Sequence, residues 1–135
     1  MNTDNLDKEF LPFVEAKALK ELGFNDACLA CYMFETQPNF KWELHHAVNT
    51  NKYLHIISAP LYSQAFDFFR EKYNLYPYIH HSIVSNNARQ CTYSIISNTH
   101  EDMTSSKICT SYKKAELKCL QHLIKFITKN KENEG

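Results

Sequence analysis

Apolar positions along this chain recur at two spacings, near 3.6 and at 2, and the switches between them mark its elements. Residues 13–22 place Ala18, Leu19 and Leu22 on one face with Val14 or Glu15, after Pro12 and before Gly23. That predicts a short helix. A proline just ahead of the first turn gives up an N–H that would lack a partner anyway. Gly23 supplies a left-handed cap, and Phe24 is placed to fold back on the last turn as in a Schellman ending. Residues 28–34 are apolar, short and bounded by turn formers, which reads as a strand. Residues 41–48 alternate, with Trp42, Leu44, His46 and Val48 on one face and Lys41, Glu43 and His45 on the other. Residues 53–57 read as a third strand. The expected arrangement of these three is a meander, or an extension of the sheet in the second half.

The second half reads as helix, three strands, helix. Tyr62, Ala65, Phe66, Phe69 and Tyr73 recur at helical spacing within residues 60–73, with Ser58 as the expected cap and Pro77 as the expected stop. Strands follow at 79–85, 91–97 and 107–110. In residues 111–128, Ala115, Cys119, Leu120, Leu123 and Ile127 share one helical face, Leu117, Ile124 and Phe126 widen it, and Ser111 is the cap. The expected fold is therefore one α+β domain over residues 10–128. Its mainly antiparallel sheet carries helices on one face, and its C-terminal half runs α-β-β-β-α. A loose polar segment (1–9) precedes it and a charged, flexible tail (129–135) follows.

Composition changes that picture in three ways. Only two glycines occur, Gly23 and Gly135, so tight turns fall to asparagines such as Asn49, Asn51, Asn86 and Asn87. Formal net charge is zero, yet residues 107–131 hold seven lysines against Glu116 alone. One end of the chain is basic and the other mildly acidic. No run approaches the roughly 18 apolar residues of a membrane span, and the acidic start does not read as a signal peptide. Five cysteines, an odd number in a chain read as unexported, are expected as reduced thiols.

Few residue patterns carry chemistry. Cys28 and Cys31 match C-x-x-C, but inside a strand positions i and i+3 face opposite ways, and no second pair completes a zinc site. Core cysteines are the expected reading. The doublets His45-His46 and His80-His81 diverge for the same reason, leaving only a site assembled across strands, for instance from His46 and His81. Two glycines exclude a nucleophile elbow and glycine-rich phosphate loops. Glu101 and Asp102 fall in a loop, where solvated charge is the ordinary reading. The expectation is no enzyme, no cofactor and no metal. The aromatic row on the 60–73 helix reads as core. Lys113, Lys114 and Lys118 are different. They lie in the first two turns of the last helix, where ammonium groups and free N–H groups together favour phosphate.

Two resemblances add to this. The run from Ala59 to Tyr73, the segment Leu19-Lys20-Glu21-Leu22-Gly23-Phe24 and the segment Ser111-Tyr112-Lys113-Lys114-Ala115-Glu116-Leu117 resemble a family of small proteins from bacteriophages and Bacteroidetes with no established activity. The likeness spans about residues 10 to 127 and implies a phage-type accessory protein, located in the host cytoplasm. The α-β-β-β-α order ending in Ser-x-Lys-Lys-Ala-Glu is similar in topology to the double-stranded-RNA-binding domain. That likeness implies phosphate contacts for Lys113 and Lys114. The family's third lysine would fall on Leu117, with Lys118 one place on. Its glycine-proline-histidine loop has no counterpart at residues 86–89. The functional expectation is a non-catalytic interaction protein with a protein partner. The alternative is nucleic-acid binding through Lys113, Lys114 and Lys118.

Overall fold

The structure is a computed structural model that describes residues 8–33, 42–83, 89–97, 103–104 and 108–134. The expected turn at Asn86-Asn87, the strand ends at Phe34, Lys41, Ser85 and Lys107, His100 and the loop pair Glu101-Asp102 lie outside those residues, as do residues 1–7. The fold is α+β, with α1 (Phe13–Glu21), β1 (Cys28–Met33), β2 (Glu43–Val48), β3 (Ile56–Ser58), α2 (Tyr62–Tyr73), β4 (Leu75–Ile83), β5 (Arg89–Ser97), β6 (Met103–Thr104) and α3 (Tyr112–Glu134). Two antiparallel sheets form, ordered β2-β1-β3 and β4-β5-β6. The chain divides into two compact units, residues 1–65 and 66–135. Among the described residues no helix is long and apolar enough to cross a membrane.

In the first unit β1 is the central strand, paired antiparallel to β2 on one side and β3 on the other. This corrects both expectations for these strands: β2 and β3 are not neighbours, and none of the three joins the second sheet. The expected alternation of β2 is also broken. Cys28 pairs with Val48 but Ala30 with Leu44, so β2 carries two extra residues opposite one step of β1. That bulge at His45–Ala47 re-aims the side chains. Leu44 is left 53% exposed, while Trp42, just outside the strand, is buried and packs on Phe10 at 4.9 Å. The third strand begins at Ile56, because residues 53–55 are held in a turn. There the Lys20 ammonium donates to the carbonyls of Tyr53 and Ile56 at 2.6 and 2.7 Å.

The end of α1 follows its sequence. Gly23 adopts φ 96°, the Phe24 N–H reaches the Leu19 carbonyl at 2.9 Å, and the Gly23 N–H reaches that of Lys20 at 3.0 Å. Those two bonds are the Schellman pair. Ser58, by contrast, caps nothing. It is the last residue of β3, fully buried, with its hydroxyl 2.6 Å from that of Thr50. The side chain at the start of α2 is Gln64, whose Oε1 accepts the Leu61 N–H at 3.0 Å and whose amide donates to the Ala27 carbonyl. This is the return half of a capping box.

Asn51 knits the unit together. Its side chain accepts the Ser58 N–H at 2.7 Å and donates to the Phe24 carbonyl at 2.9 Å, and its own N–H is held by Asn49 Oδ1. Asn51→Ala strands two partly buried backbone groups, each at a cost of about 1–3 kcal/mol. A loss of about 2–4 kcal/mol in urea unfolding is the expected result.

In the second unit α2 ends at Asn74, a non-glycine residue at φ 55° whose N–H still reaches the Arg70 carbonyl. Asparagine tolerates that conformation better than most residues. Pro77 is therefore not the stop. It sits within β4, an edge strand, where a missing ladder donor is tolerated. β4 and β5 pair continuously from Leu75 opposite Ser97 to Ile83 opposite Arg89. The third strand is displaced from its expected place: β6 is Met103–Thr104, and Cys109 makes only an isolated bridge to Cys91. Ser111 caps α3 as expected, accepting the Lys114 N–H at 3.2 Å. α3 packs on β4 and β5 and buries Ala115, Cys119, Leu120, Leu123 and Ile127. It continues past Thr128 to Glu134 through lysine and glutamate, which are good helix formers.

Candidate nucleic-acid interface

The three lysines singled out from the sequence do not form one cluster. Lys113 is half-buried, and its Nζ lies 3.3 Å from Glu116 Oε1, a side chain buried against solvent. Lys114 and Lys118 are exposed and lie a turn apart on another face. At 100° per residue, Lys125 and Lys129 fall on that same line, within an arc of about 60°. Lys114, Lys118, Lys125 and Lys129 are all exposed, with the exposed side chains of Gln121 and Thr128 beside them. The row spans about 22 Å of helix and lies away from the residues α3 buries.

No described side chain pairs with this row. The ammonium groups of these four lysines have no ion pair or hydrogen bond among the described residues. Of the acids on α3, Glu116 is buried off the row, and Glu132 follows on the row's own line three positions past Lys129, at its C-terminal end. The pairs Lys114/Lys118 and Lys125/Lys129 are like charges at i,i+4, each costing a few tenths of a kcal/mol on an isolated helix. The neutral total also hides an asymmetry. Residues 66–135 contain ten Lys and Arg against seven Asp and Glu, a net +3, and residues 1–65 a net −3. The period that places Lys125 and Lys129 with Lys114 and Lys118 is visible in the sequence. The burial of Glu116 that draws Lys113 aside is not.

The cysteine and histidine pairs singled out from the sequence are kept apart. Cys28 and Cys31 are both buried, on a strand where they face opposite ways. Burial pushes the Cys28 thiol up to about 12 and raises Cys31 as well, the reverse of an activated thiolate. Burial also takes Cys119 to about 12. His46 lies in β2 and His81 in β4, strands of different sheets. Among the described residues, no three His, Cys, Asp or Glu side chains converge on a point where an ion could sit.

His122, beside the basic row, is hydrogen bonded through Nδ1 to the Tyr93 hydroxyl at 2.9 Å. Burial, and then Lys125, hold its pKa below the ordinary 6.5. The unfolded chain thus takes up the proton more readily than the folded one. The stabilisation is present above the unfolded value and is lost as pH falls through the lowered one. Unfolding midpoints compared at about pH 8 and about pH 5 should drop on acidification. That drop should shrink in His122→Gln.

The sheet face opposite α3 is the other distinctive surface. Tyr76 pairs with Ile96, Tyr78 with Ser94 and His80 with Thr92, so all six share one face. Tyr78 is 50% and Ile96 39% exposed. No protein-family model, curated protein or solved structure matches this chain.

Proposed function

We propose that the protein is a non-catalytic accessory module, of phage type, that binds nucleic acid through the lysine row of α3. The observation that carries this reading is the row itself: four exposed lysines on one line of a helix, with no acid interleaved, on the more basic half of a neutral chain. Such a row meets phosphates with ammonium groups and releases counterions. It reads backbone rather than sequence. Lys114 and Lys118 belong to the site, and Lys125 and Lys129 extend it. Lys113 serves it indirectly, held by Glu116.

Fluorescence anisotropy with duplex RNA, duplex DNA and single strands at low salt tests this reading. Binding to at least one of them is expected, with loss when Lys114, Lys118, Lys125 and Lys129 are all changed to Glu. No binding to any of them at low salt, or retained binding in that variant, rejects it.

A protein partner is the second reading, favoured by the open face carrying Tyr78 and Ile96. Aromatic side chains of this kind are enriched at protein interfaces. That partner would be held by apolar contacts, so its binding would survive salt and the lysine reversals but fall with Tyr78→Ser.

A further inference from the structure

The sequence motif Cys28–Cys31 does not make a working thiol pair, but the fold makes a different one. Cys91 of β5 and Cys109, ahead of α3, stand opposite each other in an isolated antiparallel bridge. Each N–H donates to the other's carbonyl, at 2.9 and 2.8 Å. Residues that exchange both bonds point to one face with Cα atoms about 5.5 Å apart, inside the range of about 4.4–6.8 Å that a disulfide spans. Both side chains are buried in one small cluster with Ala115, against Ile79. A base stands beside them: His81 Nδ1 is 3.4 Å from Cys91 Sγ. Its imidazole is exposed and stacks flat on Tyr112 at 5.2 Å.

We propose that Cys91 and Cys109 are a redox-active dithiol that closes to a reversible disulfide by exchange with a small-molecule disulfide of the glutathione class. His81 takes the Cys91 proton. The Cys91 thiolate attacks one sulfur of the small disulfide, whose S–S bond breaks, and one thiol leaves with a proton. Cys109 then gives up its proton and attacks Cys91 Sγ in the mixed disulfide, expelling the second thiol. The protein loses two electrons and two protons, and the small disulfide gains both. Access needs only the opening of a single bridge, a local event. A hydrogen-bonded pair holds its Cβ atoms farther apart than a non-hydrogen-bonded one. The disulfide is therefore strained and readily reduced, as regulatory disulfides are. Closure ties the residues ahead of the Ser111 cap to β5.

The folded protein should be treated with oxidised glutathione, then analysed by thiol titration in denaturant and by non-reducing peptide mapping. Three of the five thiols should remain free, with one peptide pair joined through Cys91 and Cys109 and released by excess reduced glutathione. Cys109→Ser should stop at a glutathione adduct on Cys91, and Cys91→Ser, without the thiol beside His81, should leave Cys109 free over the same time. His81→Ala keeps both thiols and should slow closure about tenfold or more; an unchanged rate would overturn the role given to His81. Five intact thiols after treatment, links through Cys28, Cys31 or Cys119, or stable adducts on both Cys91 and Cys109 of the unaltered protein would overturn the dithiol.

Discussion

Leu120→Ala is expected to cost the protein about 3 kcal/mol, more than any single surface change. Leu120 is fully buried on α3, the helix that packs on β4 and β5. It lies within the run of Ala115, Cys119, Leu123 and Ile127 that makes the apolar face of the helix. Truncation removes the transfer energy of the lost methyl and methylene groups and leaves a cavity, together about 2–5 kcal/mol. A domain of this size holds only about 5–15 kcal/mol in total, so the variant gives up a large share. Thr128→Ala, exposed on the same helix, should change stability by no more than about 0.5 kcal/mol. Urea unfolding distinguishes the two if the midpoint falls while the slope holds. Equal midpoints would mean that α3 does not anchor the second unit.

The second large effect concerns binding. Four phosphates neutralised by four lysines give a slope of about −3.6 for log affinity against log salt on a duplex, at about −0.9 for each contact. Affinity should then fall on the order of 100-fold between about 50 and 200 mM salt. Changing Lys114, Lys118, Lys125 or Lys129 singly to Ala should each remove about 0.9 from that slope. Lys113→Ala should leave the slope nearly unchanged, because its ammonium is already engaged by Glu116. A flatter slope in Lys113→Ala than in Lys125→Ala would restore the grouping expected from the sequence.

The parts of this fold that were legible rest on short-range physics. One glycine after an amphipathic run foretold the Schellman ending at Gly23, and Ser111 foretold the cap of α3. Both depend on residues within one turn. What failed depends on partners distant in sequence. The alternation of residues 41–48 is real, but a bulge against β1 breaks it, and only the pairing shows that. Two residues of β6 carry no periodic signal, so the third strand was expected some four residues late. Ser58 resembles a cap until Thr50 claims its hydroxyl. That the first three strands form their own sheet could not be read from any one segment. In the proposed row, the shared face of Lys114 and Lys118 is legible from their spacing. The ion pair of Lys113 with Glu116 is not legible, because the burial of a glutamate is invisible in a pattern of charges. The Cys91–Cys109 pairing exists only through register, whereas the conspicuous C-x-x-C is divided by its own strand.

The most direct test of the lysine row as a nucleic-acid interface is a salt titration of anisotropy binding, run on the unaltered protein beside the variant with all four row lysines changed to Glu. The account predicts a steep linear slope of about −3 to −4 for the first on a duplex, and no measurable binding for the second. A flat salt response, or equal affinities for the two proteins, would contradict it and point instead to the open face at Tyr78 and Ile96.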